Sequence, residues 1–321
     1  MPTSGSWNYS VTASDIITAA LEDLGVLQSG GTVDSSDMTV ALRTLNLLVK
    51  QWQGRSDKFP GLKVWTRQRV VMFLVPAQSR FLIGPASTDD RASANSLATV
   101  LGAAKAADAT SVSLASTAGM SAADIIGFLT DAGTLGWSTI GTVVNSTSVA
   151  IGTNTISAAA SGKVVYSYTS KAQRFVDIEA ASLRDNSTAG NPIDSPLDVY
   201  TEVADYESLP QKQAVGDPTA ILVEPQRLNT AVTLDSASSN LYRTLRLTVI
   251  YPAEDYDTSA DDIAYPQEYY AALEWELARR LAPKFEVEWT AAMKENWQIA
   301  VQEGINLNPD NTSVHFQPGR E

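Results

Sequence analysis

Seventy-four consecutive residues, 97–170, carry only five charged side chains: Lys105, Asp108, Asp124, Asp131 and Lys163. Serine, threonine, alanine and glycine dominate the stretch. Short β-like runs recur in it, at 110–115, 124–129, 139–144, 147–151 and 163–168. Turn signals such as Asp131-Ala132-Gly133 and Ala160-Ser161-Gly162 separate them. Several short strands at that spacing predict a small all-β sandwich or barrel. Helix-forming and mixed sequence lies on both sides, so the segment reads as an inserted, separable domain.

The two ends of the chain follow the helical period instead. Thr12 and Asp15 have capping-box spacing, with Asp in place of the usual Glu or Gln. Ile17, Ala20, Leu21 and Leu24 then form an apolar stripe, and Gly25 suits a C-terminal cap. Met38, Ala41, Leu42, Leu45, Leu48, Val49 and Trp52 mark a second helix. The polar, glycine-containing link 28–32 makes the two an antiparallel pair. Near the other end, Pro266 stands in a first helical turn, where its missing N–H costs nothing. Tyr270, Leu273, Leu277 and Leu281 follow as a stripe, and Pro283 stops the helix. Trp289, Met293 and Trp297, spaced by four, predict a last helix over 286–303.

Between these parts, 62–84 has strand character, with Val64, Val70, Val71, Phe73 and Val75 before a Pro-Ala turn and 78–83 after it. A two-stranded piece is predicted there. Further strands are predicted at 175–183, 197–203, 221–224 and 242–251; in the last, Leu245, Leu247 and Val249 share one face.

Composition excludes several chemistries. The chain has no cysteine, so disulfides, thiolate metal sites and cysteine nucleophiles are out. Its one histidine, His315, argues against His-cluster zinc sites and a Ser-His-Asp triad. A net charge of −13 without any Lys/Arg run predicts poor DNA binding and suits a surface that DNA passes without sticking. No apolar run is long enough for a membrane span. The opening Met-Pro-Thr-Ser-Gly-Ser-Trp lacks signal-peptide character, so synthesis in the cytoplasm is expected.

Candidate chemistry is sparse. Asp255 and Asp257 have the spacing of the first two ligands of a calcium loop, but the central glycine is missing and Pro266 holds the closing position. A solvated acidic loop is the simpler reading. Phosphate-cradling glycine motifs are absent, and no local motif favours any Asp/Glu pair as glycosidase carboxylates. Trp275, Trp289 and Trp297 fall near helical stripes and are expected in a core or interface. Trp137, between Gly136 and Ser138 in the β segment, is kept open as a surface contact. No catalytic, cofactor-binding or metal-binding residue is assigned.

Three blocks resemble the head-to-tail connector proteins of tailed bacteriophages, in particular the tail-accessory adaptors of short-tailed phages. The first is the opening helix pair, Asp15-Ile-Ile-Thr-Ala-Ala-Leu-Glu-Asp-Leu-Gly-Val-Leu with Ala41-Leu-Arg-Thr-Leu-Asn-Leu-Leu-Val-Lys-Gln-Trp. The second, Tyr206-Glu-Ser-Leu-Pro-Gln-Lys-Gln-Ala-Val-Gly-Asp-Pro, is similar to the family's tyrosine, Leu-Pro, lysine and Gly-x-Pro pattern. The third is the Tyr265-Pro266 helix. The resemblance implies a non-enzymatic virion protein of the neck, without cofactor, forming a homo-oligomeric ring, typically of twelve. Such a ring binds beneath the portal protein, extends the DNA channel and docks tail nozzle or fibre proteins; DNA passes its lumen without specific binding, and no membrane is involved.

The fold expected on these grounds is α+β: a helical adaptor domain with β-strands, carrying an inserted small all-β domain and a C-terminal extended arm. The expected parts are 1–96, 97–170, 171–305 and the arm, 306–321. The resemblance makes that arm the portal-docking element, with Val314, His315, Phe316 and Pro318 seated on the portal. The β segment is a departure from the simplest members of the family. Three other readings stand beside this one: a β-rich tail or fibre-attachment protein, a virion-associated cell-wall hydrolase, and a soluble binding module that stays monomeric.

Overall fold

The structure, a computed structural model, describes residues 9–52, 67–84, 92–152, 156–188, 191–210, 212, 214–238 and 240–306. Two helices open it, α1 (Ala13–Asp23) and α2 (Ser35–Trp52). Then come β1 (Arg67–Phe73), β2 (Arg80–Ile83) and β3 (Ala92–Ser93). The low-charge segment holds β4 (Ser96–Val100), β5 (Ser111–Ser113), β6 (Ile125–Leu129), β7 (Leu135–Asn145), β8 (Ser148–Ile151) and β9 (Val164–Tyr168). After it follow β10 (Asp177–Asp185), β11 (Ile193–Tyr200), α3 (Val203–Glu207), β12 (Ala214–Val215), β13 (Ala220–Pro225), β14 (Thr230–Leu234), β15 (Ser236–Ala237) and β16 (Arg243–Ile250). A 3-10 turn, Gln267–Tyr269, leads into α4 (Tyr270–Leu281), and α5 (Ala291–Asn306) ends the described chain. The chain divides into two compact units, with the breaks at 66/67 and 251/252.

The helical unit holds α1, α2, α4 and α5. Thr12 and Asp15 close the capping box: the Thr12 N–H donates to Asp15 Oδ2 (2.8 Å) and the Asp15 N–H to Thr12 Oγ1 (3.3 Å). Gly25, at φ 71°, supplies the left-handed turn that ends the helix. Ile16, Ile17 and Leu21 of α1 share one core with Leu45, Leu48 and Val49 of α2 and Leu273, Leu277 and Leu281 of α4. Asn46 ties α2 to the acidic loop by two bonds to the Tyr256 backbone, 2.8 and 2.9 Å. Pro283 falls in a 3-10 turn just past α4.

In the other unit, eight strands form one sheet in the order β2-β14-β13-β11-β10-β16-β1-β3. Strands β1 and β2 do not pair with each other: β1 pairs with β16 and β3, and β2 with β14. They stand six strand spacings apart, about 29 Å in a flat sheet. The six residues that join them reach at most about 25 Å fully extended. That link also contains a turn, closed by the Gln78 N–H on the Val75 carbonyl (3.2 Å), with Ala77 at φ 59°. The sheet therefore curls until its ends approach and is nearly closed, like a barrel.

The low-charge segment forms a second sheet, in the order β4-β9-β6-β7-β8-β5. Its two edges meet. Leu101 bridges Leu114, the Gly102 N–H donates to the Ser113 carbonyl (3.0 Å) and the Ala115 N–H to the Val100 carbonyl (2.9 Å). Closure removes the open edges that a small sheet would otherwise expose. Ile126, Phe128, Ile140, Val149 and Val165 pack in one core. All five residues of β9 are buried. Val165 joins this core, while Val164, Tyr166 and Tyr168 join the core of the eight-stranded sheet. Phe73 meets Tyr166 there at a ring-centroid distance of 4.7 Å, and the Tyr166 hydroxyl donates to the Leu241 carbonyl (3.0 Å).

The expected fold class is corrected by this architecture. Sixteen strands stand against five α-helices among the described residues. The strands on either side of 97–170 do not belong to a helical adaptor domain; with that segment they build one β unit, Arg67–Tyr251. The two-stranded piece expected over 62–84 is likewise replaced by two strands at far positions of the large sheet. Local apolar patterning identifies a strand but not its partner, and here the partners come from the far end of the β region.

Candidate functional site

The residues singled out from sequence fall in two places. Val314, His315, Phe316 and Pro318 lie outside the described residues. Trp137 is half-buried on β7. Its ring lies over Gly127 on the neighbouring β6, so close that a Cβ there would come within 2.5 Å of it. The ring centroid is 5.4 Å from Phe73 and 5.7 Å from Tyr168. Trp137 thus fastens the small barrel to the large sheet.

The acidic loop is also committed. Asp255 pairs with Lys50 at 2.8 Å, and Asp261 accepts both the Thr258 N–H (2.8 Å) and its hydroxyl (2.7 Å). Among the described residues no group of three or more His, Cys, Asp or Glu side chains could hold a metal ion. Lys105, buried in the barrel, donates to the Ala106 and Ile156 carbonyls at 3.1 and 3.2 Å. Burial pushes its pKa down, and Asp108 pushes back.

The densest polar constellation is on α4, and sequence reasoning passed over it. Glu276 is 0% exposed. Arg279 and Arg280, three and four residues on, lie on the same helical face and reach back to it. Arg279 donates to both carboxylate oxygens, at 2.9 and 2.6 Å, and Arg280 Nε to one at 3.0 Å. From α5 the Trp297 indole N–H adds a fourth bond at 2.6 Å, under the Arg279 guanidinium 5.2 Å from the ring centroid. Arg280 also donates to Gln51 at the end of α2, 2.8 Å. Burial alone would raise the pKa of Glu276, but Arg279, Arg280 and Trp297 together hold it below the ordinary value. Its oxygens are fully engaged: the carboxylate ties α4 to α5, and Arg280 carries the link on to Gln51 of α2, an arrangement that holds helices together rather than presenting a base.

Two residues earlier, Glu274 meets Asp23, the last residue of α1, through a shared hydrogen bond. Burial and the Asp23 carboxyl push Glu274 up to about 7, with Glu22 adding repulsion. Burial likewise raises Asp23. Glu22 itself accepts the Gly30 N–H at 2.8 Å. The pair keeps a proton that the unfolded chain would release. Stability from Glu274 is therefore fully present below its ordinary 4.5 and is lost as the pH rises through about 7. Glu274→Gln should flatten that slope. It should raise the stability of the helical unit on the alkaline side by about 1–2 kcal/mol, allowing for screening of a half-exposed group. Thermal melts followed by helical circular dichroism on both sides of neutrality read this directly, and an unchanged slope in the variant would rule the pair out.

No known protein-family model matches the chain, and no curated protein matches it. Among the described residues no helix is long and apolar enough to cross a membrane.

Proposed function

We propose that this chain is a structural, non-enzymatic virion protein: a head-to-tail adaptor of a tailed bacteriophage. It forms a ring of identical subunits beneath the portal, extends the DNA channel and docks the next tail component. The observation that carries the reading is the joining of two of the resembling blocks in one module. The helices at opposite ends of the sequence, α1 and α2 with α4, share a single core. The middle block also forms a defined feature. Tyr206 is buried and its hydroxyl donates to the Leu234 carbonyl (2.9 Å). Lys212 sits 5.5 Å above its ring and pairs with Glu207, while Asp217 pairs with Arg243. The net charge of −13 is in keeping with a channel that does not hold DNA. In this reading the C-terminal segment docks on the portal, and the β unit supplies contacts to nozzle or fibre proteins.

A second reading, a β-rich tail or fibre-attachment protein, is favoured by the predominance of strands. It calls for trimers or hexamers rather than a larger ring. Electron microscopy of the purified protein, alone and mixed with portal rings of the same phage, separates the two. A ring stacked on the portal is the expected result. A trimer or hexamer that ignores the portal would replace the adaptor reading with the second one. Turnover of peptidoglycan, lost on a single carboxylate-to-amide change, would instead point to a wall hydrolase.

A further inference from the structure

The helical unit exposes two strips of opposite character. The outward face of α2 carries Ser36, Val40, Arg43, Leu47 and Lys50, which follow one another at steps of three and four. Val40 is 42% and Leu47 59% exposed. The outward face of α5 carries Glu295, Ile299 and Glu303, with Ile299 52% exposed. Val40 and Leu47 on α2 and Ile299 on α5 give each strip an apolar centre flanked by charged side chains.

Charge decides what covers them. The α2 strip has two basic residues and no acidic one, and the α5 strip has two acidic residues and no basic one. Lys50 is already tied to Asp255. Arg43, Glu295 and Glu303 have no ion-pair partner among the described residues. Either strip laid on its own copy would oppose like charges. Laid on each other, they set Arg43 between two glutamates and Ile299 against Val40 and Leu47. We propose that α2 of one copy of this chain packs along α5 of the next. The proposal rests on the ring reading above and assigns its subunit contact. Because the two halves are different surfaces, the contact is head-to-tail, which builds a ring where its rotation closes and an open filament where it does not. A single helix-on-helix contact is small, so each junction is weak alone and association rises steeply with concentration.

The absence of cysteine gives a test without background. Leu47→Cys and Ile299→Cys are both exposed and leave the core intact. Under mild oxidation at high protein concentration, the double variant should give a ladder of dimers, trimers and higher species on a non-reducing gel. The two single variants mixed should stop at a dimer, and each alone should stay monomeric. Adding Arg43→Glu should cut the cross-linked yield about tenfold by setting like charges against each other. Adding Glu295→Arg and Glu303→Arg as well should restore it. Equal dimer from either single variant would overturn the head-to-tail pairing. If the double variant gives no ladder while the unmodified protein still stacks as a ring on the portal, the α2–α5 assignment falls and the ring reading stands. If neither is seen, both fall.

Discussion

Excising residues 97–170 behind a short linker unfolds the β unit. The segment has the look of a separable insert, yet it contributes Leu129, Val164, Tyr166 and Tyr168 to the core of the eight-stranded sheet. Each is at most 5% exposed. Losing burial on that scale costs about 1.5–3 kcal/mol per side chain, so about 6–12 kcal/mol for the four. That equals the whole net stability of a typical domain. Phe73, 1% exposed in the intact chain, would also lose its partners Trp137, Tyr166 and Tyr168. The helical unit has a core of its own, and its helical circular dichroism should persist while the excised protein aggregates through its open sheet. A soluble excised chain with a cooperative β transition close to that of the intact protein would show that the barrel is an independent domain after all. Gly127→Leu tests the same seam more gently. The new side chain would collide with the Trp137 ring, and unfolding by urea should come at a clearly lower concentration.

The helices were legible because their signals are local. The Thr12–Asp15 box, the stripes of α1, α2 and α4, and Pro266 all act within a few residues of where they stand. The start of the last helix was misplaced for the same reason. Trp289, Met293 and Trp297 keep a helical step, but Glu286 takes φ 56° and α5 begins only at Ala291. The strands were legible as strands and not as neighbours. Nothing near Val70 says that its strand lies beside β16, or near Phe81 that it lies beside β14. The role of Trp137 depends on its register opposite Gly127, a cross-strand fact that no window of sequence contains. The α4 constellation is an intermediate case. The Glu276–Arg279–Arg280 spacing is visible, but the burial that gives it weight depends on Trp297, which arrives from another helix. The Asp23–Glu274 pair joins residues from opposite ends of the sequence and had no signal to find.

Replacing both Arg279 and Arg280 by alanine should destabilise the helical unit more than Glu276→Ala does. The two changes break the same ion pairs, but they leave different groups behind. Without the arginines, a carboxylate that is 0% exposed keeps only the Trp297 N–H, and an uncompensated buried charge costs about 3–5 kcal/mol. Without the carboxylate, Arg279 and Arg280, with side chains 41% and 22% exposed, can turn towards water, so the loss is smaller. The pH dependence should differ as well. In the intact protein Glu276 has a lowered pKa, so its contribution is present above the ordinary 4.5 and is lost as the pH falls through the folded value. Glu274 works in the opposite sense, losing its contribution as the pH rises towards about 7. Two carboxyls only two residues apart on α4 therefore favour the greatest stability of the helical unit in mildly acidic conditions. In the double arginine variant only the Trp297 N–H opposes burial at Glu276, and its pKa moves up. The acid-side loss should then disappear, and stability should fall monotonically from acid to neutral pH. Urea titrations across that range, read by helical circular dichroism, would show the change of shape. An acid-side loss that survives in the double variant would mean that other carboxylates set it, and that the Glu276 network does not hold these helices together.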